Sequence, residues 1–350
     1  MRNDFWRKKR VLLTGHTGFK GGWLAICLER LNAKVTGISL ASLTSPNLFD
    51  LANVSSICQS HILDIRDQKA VAHIVQSVQP EIVFHLAAQP LVRTSYQDPL
   101  ETYSTNVMGT ANLLNALRFV NTCKVVVVVT TDKVYKNNEW LYPYREHDAL
   151  GGHDPYSASK AACEIVISSY RDAFLKDQGV AVASARAGNV IGGGDWSSNR
   201  LIPDAIRAWQ SSDTLAIRRP KSTRPWQHVL EPLYGYMSLA EKLWHEPELA
   251  GPFNFGPQTH EAASVREVIA LARDFYGQGD VQFIDENQGP HEAGWLSLET
   301  AKARLLLNLR SRWSLAESIG HTMKWYRDQH AGADALSLCL KQIDEYEASV

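Results

Sequence analysis

The chain has 350 residues, 45% of them hydrophobic and 21% charged, with a formal net charge of −1. That length suffices for one large domain and a smaller lobe, and the balanced charge gives no electrostatic reason to expect nucleic acid or a membrane surface as a partner. No apolar run approaches the ~20 residues of a membrane helix, the run Val11-Leu12-Leu13 is too short for a signal-peptide core, and five scattered cysteines without a C-x-x-C pair point to reduced thiols in the cytoplasm rather than a disulfide framework.

Hydrophobic periodicity predicts a strand over 10–14, a helix over 21–31 and a strand over 34–40. A weaker strand at 61–63 precedes a helix at 68–78, a strand at 81–86 and a long helix at 102–120. A run of valines makes 124–130 a buried strand, followed by a helix over 155–175 and a strand over 180–186. Continuous apolar strands alternating with helices imply an α/β fold, a doubly wound parallel Rossmann-type sheet covered on both faces. Beyond residue 186 the rhythm changes to loops rich in Gly, Pro, Arg and Trp, with helices at 203–210, 230–244 and 265–275. The expected division is a dinucleotide-binding domain over 1–186 and a smaller, mainly substrate-binding lobe over 187–350, with some chain crossing back.

The first strand runs into Gly15-His-Thr-Gly18-Phe-Lys-Gly21, a G-x-x-G-x-x-G loop that opens a helix. Glycines allow the tight turn and the close approach of backbone to a pyrophosphate, whose charge the helix N-terminus favours. A purely structural turn is the alternative; position within the first strand–loop–helix favours the cofactor. The acidic residue expected about twenty positions on, for the ribose hydroxyls, is absent. The second strand ends instead in Gly37-Ile38-Ser39-Leu40, where Ser39 offers one weaker hydrogen bond. With no Arg or Lys there to receive a 2′-phosphate, NAD is expected over NADP, held more loosely than usual. Asp64, after the third strand, suits either the adenine edge or a loop cap.

Tyr156 and Lys160 stand four apart at the start of a helix, so they share one face. A phenol ordinarily titrates near ~10; an adjacent ammonium and a positive nicotinamide would favour the phenolate and make a usable base. Thr131, just past the valine strand, could bond the same substrate hydroxyl. No histidines pair at i, i+4, so no metal site is expected.

These segments, with His85-Leu-Ala-Ala88, Asn106-Val-Met-Gly109, Thr130-Thr-Asp-Lys-Val-Tyr135, Arg186-Ala-Gly-Asn-Val-Ile-Gly-Gly-Gly-Asp-Trp196 and Arg224-Pro-Trp-Gln-His-Val229, occur in an order that resembles the extended short-chain dehydrogenase/reductase family, that of the NAD-dependent nucleotide-sugar epimerases and dehydratases. Within it the resemblance is to the 4,6-dehydratase branch acting on CDP-glucose. It implies cofactor contacts at Gly15, Thr17, Gly18, Phe19, Gly21, Asp64, Ile65, Leu86, Ala87, Ala88, Asn106, Tyr156 and Lys160. It further implies a redox-neutral cycle: Tyr156 takes the proton of the sugar 4-hydroxyl as hydride leaves C4, water is eliminated across C5 and C6, and hydride returns to C6. Asp132 and Lys133 occupy the positions for the elimination. A related dehydratase group carries Asp-Glu there, as acid and C5 base. Lys133 departs from it, and either loses its proton to act as base or stays charged to stabilise the developing enolate.

On the substrate side the resemblance places Asn189, Arg200 and Arg224 beside the nucleotide diphosphate, with Gln89 and Arg93 at the cleft border and His291 in a further loop. Unaided, each arginine would read as a solvated surface charge, and Trp196 and Trp226 as packing. The resemblance implies a homodimer, or a homotetramer, through the long helices over 102–120 and 155–175, whose apolar faces alone could equally be intrachain core. A nucleotide-sugar 4-epimerase shares the Thr/Tyr/Lys set but needs no elimination chemistry, and a non-catalytic NAD-sensing protein needs no polarised phenol. The dehydratase would open a route to dideoxy sugars of bacterial surface polysaccharides.

Overall fold

Five consecutive valines dictate the centre of the fold. A strand with no polar face must be covered on both sides, and Val125 to Val129 are all buried. The computed structural model describes residues 3–284 and 294–349. In it the strands β1 (Arg10–Thr14), β2 (Lys34–Ser39), β3 (Gln59–Ile62), β4 (Ile82–His85), β5 (Val125–Val129), β6 (Ala181–Ala187) and β7 (Pro252–Phe255) form one sheet, ordered β7-β6-β5-β4-β1-β2-β3. Every pairing in it is parallel.

Alternate side chains go to opposite layers. Val125, Val127 and Val129 join the core under α1 (Phe19–Arg30), while Val126 and Val128 join the one under α2 (Gln68–Val78), α3 (Gly109–Leu117) and α4 (Pro155–Tyr170). Each fully buried branched side chain contributes roughly 1.5–3 kcal/mol, so the period of two is what holds the layers in register. The order of strands reverses between β1 and β4, and ligands of such sheets bind in the crevice at the carboxyl ends of the strands there.

The predicted strands and first helices stand within two residues of their expected bounds. Two long helices do not run straight. The helix expected over 102–120 is a short helix Pro99–Tyr103, a π turn Ser104–Met108 and then α3. The helix expected over 155–175 passes into a π turn at Arg171–Leu175 after α4. In the later half, β7 pairs with β6 and so returns to the main sheet. The last two helices, Leu315–His330 and Ala335–Ala348, also pack back: Arg30 on α1 pairs with Asp344 and Glu347. Trp325 lies so close under the turn after residue 191 that a Cβ on Gly193 would fall 2.1 Å from its ring. The Gly193 carbonyl accepts from Trp23 Nε1 of α1 at 2.9 Å. No helix among the described residues is long and apolar enough to cross a membrane.

Candidate active site

The glycine loop is shaped by contacts that exclude any side chain. Gly15 has φ of 81°, and a Cβ there would meet the Ala87 nitrogen at 2.7 Å; one on Gly21 would lie 2.0 Å from the Gly15 carbonyl oxygen. Gly18 is the N-cap of α1 and brings no capping side chain to its first turn, which leaves those N–H groups to a ligand anion. Loop and helix therefore fit a dinucleotide pyrophosphate, with Phe19 opening the helix.

Behind the loop lies a chain of hydrogen bonds whose direction can be assigned. Thr110 Oγ1 donates to the Asn106 carbonyl at 2.6 Å, so at its 3.0 Å contact with His85 Nε2 it accepts. His85 Nδ1 then accepts from Thr14 Oγ1 at 2.6 Å, and that hydroxyl oxygen receives the Leu86 and Ala87 N–H groups, each at 3.1 Å. One neutral imidazole thus ties the end of β1 to the Leu86–Ala87–Ala88 segment and to α3. Burial pulls its pKa down to about 3, and the Lys160 charge adds to that.

Asn106 sits in the π turn with its amide engaged inside the protein: it accepts from the Gln89 N–H at 2.8 Å and donates to the Gln89 carbonyl at 3.1 Å and to Ser159 Oγ at 2.8 Å. Gln89 bonds Thr102 and the Leu91 N–H with its own amide. Both side chains brace the loop after β4 instead of extending toward the cavity. Ser39 bonds Thr17 Oγ1 at 2.7 Å, so the two hydroxyls at the expected ribose position hold each other, and Thr17 also donates to the Leu40 carbonyl. Asp64 accepts from the Arg66 backbone at 2.8 Å and pairs with its guanidinium, which holds the carboxyl below its ordinary range. It is a loop cap. Ile65 packs against Gly109, where a Cβ would fall 2.4 Å from Ile65 Cδ1.

Tyr156 and Lys160 lie on the first turns of α4, whose start is fixed by Asp154 as N-cap, accepting from the Ser157 N–H at 2.9 Å, and by Pro155 in the first turn. The phenol and Thr131 line the same cavity. Lys160 Nζ donates to the Val129 carbonyl at 3.2 Å. Without the nicotinamide charge, the neighbouring ammonium does not offset burial. Burial dominates and pushes the phenol up to about 12, with Asp132 adding to the rise and Thr131 and Arg200 opposing it. Burial also lowers the Lys160 pKa.

Asp132 is fully buried. Its Oδ1 accepts from Thr131 Oγ1 at 2.9 Å and pairs with Lys133 Nζ at 3.3 Å, while Oδ2 is buried without a partner among the described residues. Lys133 is partly exposed, at 31% of its side chain, toward a cavity of about 1080 Å³. Thr131, Tyr156, Asn189, Arg93, Arg200 and Arg224 share that cavity. Arg200 pairs with Asp195 at 2.9 Å, Arg93 donates to Asn199 at 3.2 Å, and Arg224 donates to the Thr223 carbonyl at 2.9 Å. Asn189 heads the short strand Asn189–Ile191, paired in parallel with Trp226–His228. His291 lies outside the described residues. Trp196 and Trp226 are both core residues, and Trp226 also borders the cavity.

Some cavity residues escaped the sequence reading. Lys20, inside the glycine loop, faces the same chamber. Burial, with Arg200, Lys160 and Lys133 as like charges and Asp132 opposing, pulls its pKa down to about 7. Its position on the first turn of α1, two residues past Gly18, was the available signal. Asp195, which orients Arg200, lay in plain view in the Gly192-Gly-Gly-Asp195 run. No group of three or more His, Cys, Asp or Glu among the described residues is placed to hold a metal.

A parallel sheet, a glycine loop at its switch point and a Thr/Tyr/Lys set at the adjoining strand end define the extended short-chain dehydrogenase/reductase class. The model of the family described as GDP-mannose 4,6 dehydratase matches residues 12–302, and the chain belongs to that family. The CDP-glucose 4,6-dehydratase of Salmonella typhimurium is 44% identical over 98% of this chain and 97% of its own. A dTDP-glucose 4,6-dehydratase of Streptomyces antibioticus is 31% identical over 76% of this chain and 77% of its own. Among solved structures, a dTDP-glucose 4,6-dehydratase double mutant from Streptomyces venezuelae superposes with a TM-score of 0.80 at 23% identity, over 93% of this chain and 99% of that one. A UDP-N-acetylglucosamine 4-epimerase from Methanobrevibacter ruminantium does so at 0.79 and 23%, over 92% and 99%. Those two likenesses establish the shared fold.

Proposed function

We propose that the protein is a CDP-D-glucose 4,6-dehydratase, a hydro-lyase converting CDP-glucose to CDP-4-dehydro-6-deoxy-D-glucose and water. The observation that carries this reading is the Asp132–Lys133 pair, directly after Thr131 and with Lys133 beside it in the cavity lining, together with the 44% identity to the Salmonella enzyme. The loop of Gly15, Gly18 and Gly21 would hold NAD, which would supply a hydride store and a positive ring beside the phenol. Tyr156 takes the proton of the sugar 4-hydroxyl, and Thr131 bonds the same oxygen. The ketone left at C4 acidifies C5–H. Lys133 removes that proton itself, or stays charged and stabilises the enolate as another base removes it, while Asp132 is placed to pass a proton to the 6-hydroxyl, which leaves as water. Hydride then enters C6 and a proton returns to C5, so no net oxidation occurs.

Arg200 and Arg224 reach the diphosphate, helped by Asn189 and Arg93; paired guanidinium donors suit phosphate geometry. Residues 1–186 would hold the cofactor and 187–350 chiefly the substrate. The segments 92–117 and 155–175 leave Leu100, Met108 and Ile165 exposed at 80%, 55% and 64%, which supports a homodimer through that face, alone or within a homotetramer. Five unpaired cysteines accord with the cytoplasm, and the product accords with an early step toward dideoxyhexoses of a surface polysaccharide. Incubation with NAD and CDP-glucose, followed by alkali, is expected to develop the absorbance of a 4-keto-6-deoxy sugar. A 4-epimer as the only product would replace this reading.

A further inference from the structure

Glu164 lies one helical turn beyond Lys160 and two beyond Tyr156, on the same face of α4. Its carboxylate is 4% exposed, yet it does not touch the cavity. Three donors converge on it from the sheet: Thr130 Oγ1 at 2.6 Å, Ser184 Oγ at 2.7 Å and Arg186 Nη2 at 2.7 Å. Thr130 directly precedes Thr131 at the end of β5; Ser184 and Arg186 are on β6. The Lys160 bond to the Val129 carbonyl ties the same helix face to the same strand end one residue earlier. Val129 at the end of β5 and Thr130 just past it are therefore both anchored to the face of α4 that carries the phenol. Arg186 extends the network outward, donating to Tyr135 Oη at 2.8 Å, and that hydroxyl donates to Asn254 on β7 at 2.7 Å.

We infer that Glu164 is a positioning residue: through Thr130 it fixes the separation and orientation of Thr131 and Tyr156, so that both can meet one substrate hydroxyl. This inference rests on the dehydratase reading. A buried carboxylate with three donors is a rigid anchor, because any slide of α4 along the sheet would strand a charge in the core. Its charge also favours the Lys160 ammonium against the burial that lowers it. Such a role acts on the reacting geometry and not on substrate affinity, which lies with Arg200, Arg224 and Asn189.

Glu164→Gln alone would leave the 3%-exposed Arg186 without its counter-charge and is expected to destabilise the fold. Thr130→Val is the sharper test, since it keeps shape and the ion pair and removes the hydroxyl that links the end of β5 to the carboxylate; because Thr130 also borders the cavity, KM is read alongside kcat. Its kcat for CDP-glucose dehydration is expected to fall by about tenfold to a hundredfold, as for a small misplacement of reacting groups. KM and the melting temperature should stay near wild type, and Thr130→Ser, which restores the hydroxyl, should recover kcat. An unchanged kcat in Thr130→Val, or a loss that follows KM or melting temperature, overturns the positioning role while leaving the dehydratase reading intact. A wild type that does not turn over CDP-glucose removes that reading, and this inference with it. The double variant Glu164→Gln with Arg186→Met removes both charges; if it folds and retains full kcat, the anchor is dispensable and the inference falls.

Discussion

At the scale of single residues, the competition between burial and neighbouring charge decides what the site can do. Tyr156 is held protonated, near 12, because burial outweighs Thr131 and Arg200, and Lys160 bonds the Val129 carbonyl. A spectrophotometric titration without cofactor should accordingly show no tyrosinate from this residue at pH 9, roughly one unit below a model phenol, when wild type is compared with Tyr156→Phe. Addition of NAD should move its ionisation to lower pH. Tyr156→Phe is expected to lower kcat by about a hundredfold or more, the usual share of a general base; near-normal turnover would place the base elsewhere. Lys133→Ala should stop exchange of C5 deuterium with solvent and loss of water, while a single C4 oxidation survives, visible as reduced cofactor that does not discharge. Retention of the full reaction would deny Lys133 both of its proposed roles.

At the scale of elements, the glycine loop is the least forgiving part of the chain. A Cβ on Gly21 meets a backbone carbonyl at 2.0 Å, and backbone cannot rotate aside as a side chain can. Gly21→Ala is therefore expected to abolish NAD binding by calorimetry and lower the melting temperature, whereas Gly18→Ala, with its nearest clash at 3.3 Å, should fold and bind more weakly. Equal behaviour of the two would contradict this account of the loop. The elements legible in the sequence were those with strong period and clear ends: the valine strand, the loop with α1, and α4 behind Asp154-Pro155. What stayed hidden was set by contacts distant in sequence. The π turn at Ser104–Met108 exists where Asn106 clasps Gln89 and Ser159, neither of which a helical pattern reveals. Strand β7 is four residues with an asparagine at its centre, and Asn254 fits only because Tyr135, Tyr144 and Glu299 satisfy its amide. The set Thr131, Asp132, Lys133, Tyr156 and Lys160 was readable as types at spacings. The state of the phenol was not, because burial is a property of the packed molecule.

For the whole molecule, buried imidazoles contribute to the response to acid. His16, His85 and His228 are buried, and burial depresses their pKa values from 6.5 to about 4, 3 and 3. With folded values below unfolded ones, the unfolded chain binds more protons as pH drops, so stability is complete above about 6.5 and declines from there toward the folded values. Urea midpoints should hold steady from pH 8 to about 6.5 and then fall steeply; a flat profile down to about pH 5 would mean that these histidines are not neutral in the folded state. Assembly is tested on the face around Leu100 and Ile165: Leu100→Asp combined with Ile165→Asp should yield monomers by light scattering, and an unchanged mass would move the interface elsewhere. The central claim is internal hydride transfer coupled to loss of water. CDP-glucose carrying deuterium at C4 should, with the protein and NAD in ordinary water, give a 4-dehydro-6-deoxy product with the deuterium at C6. Deuterium retained at C4 of an epimerised sugar, or a product without deuterium at C6, would contradict it.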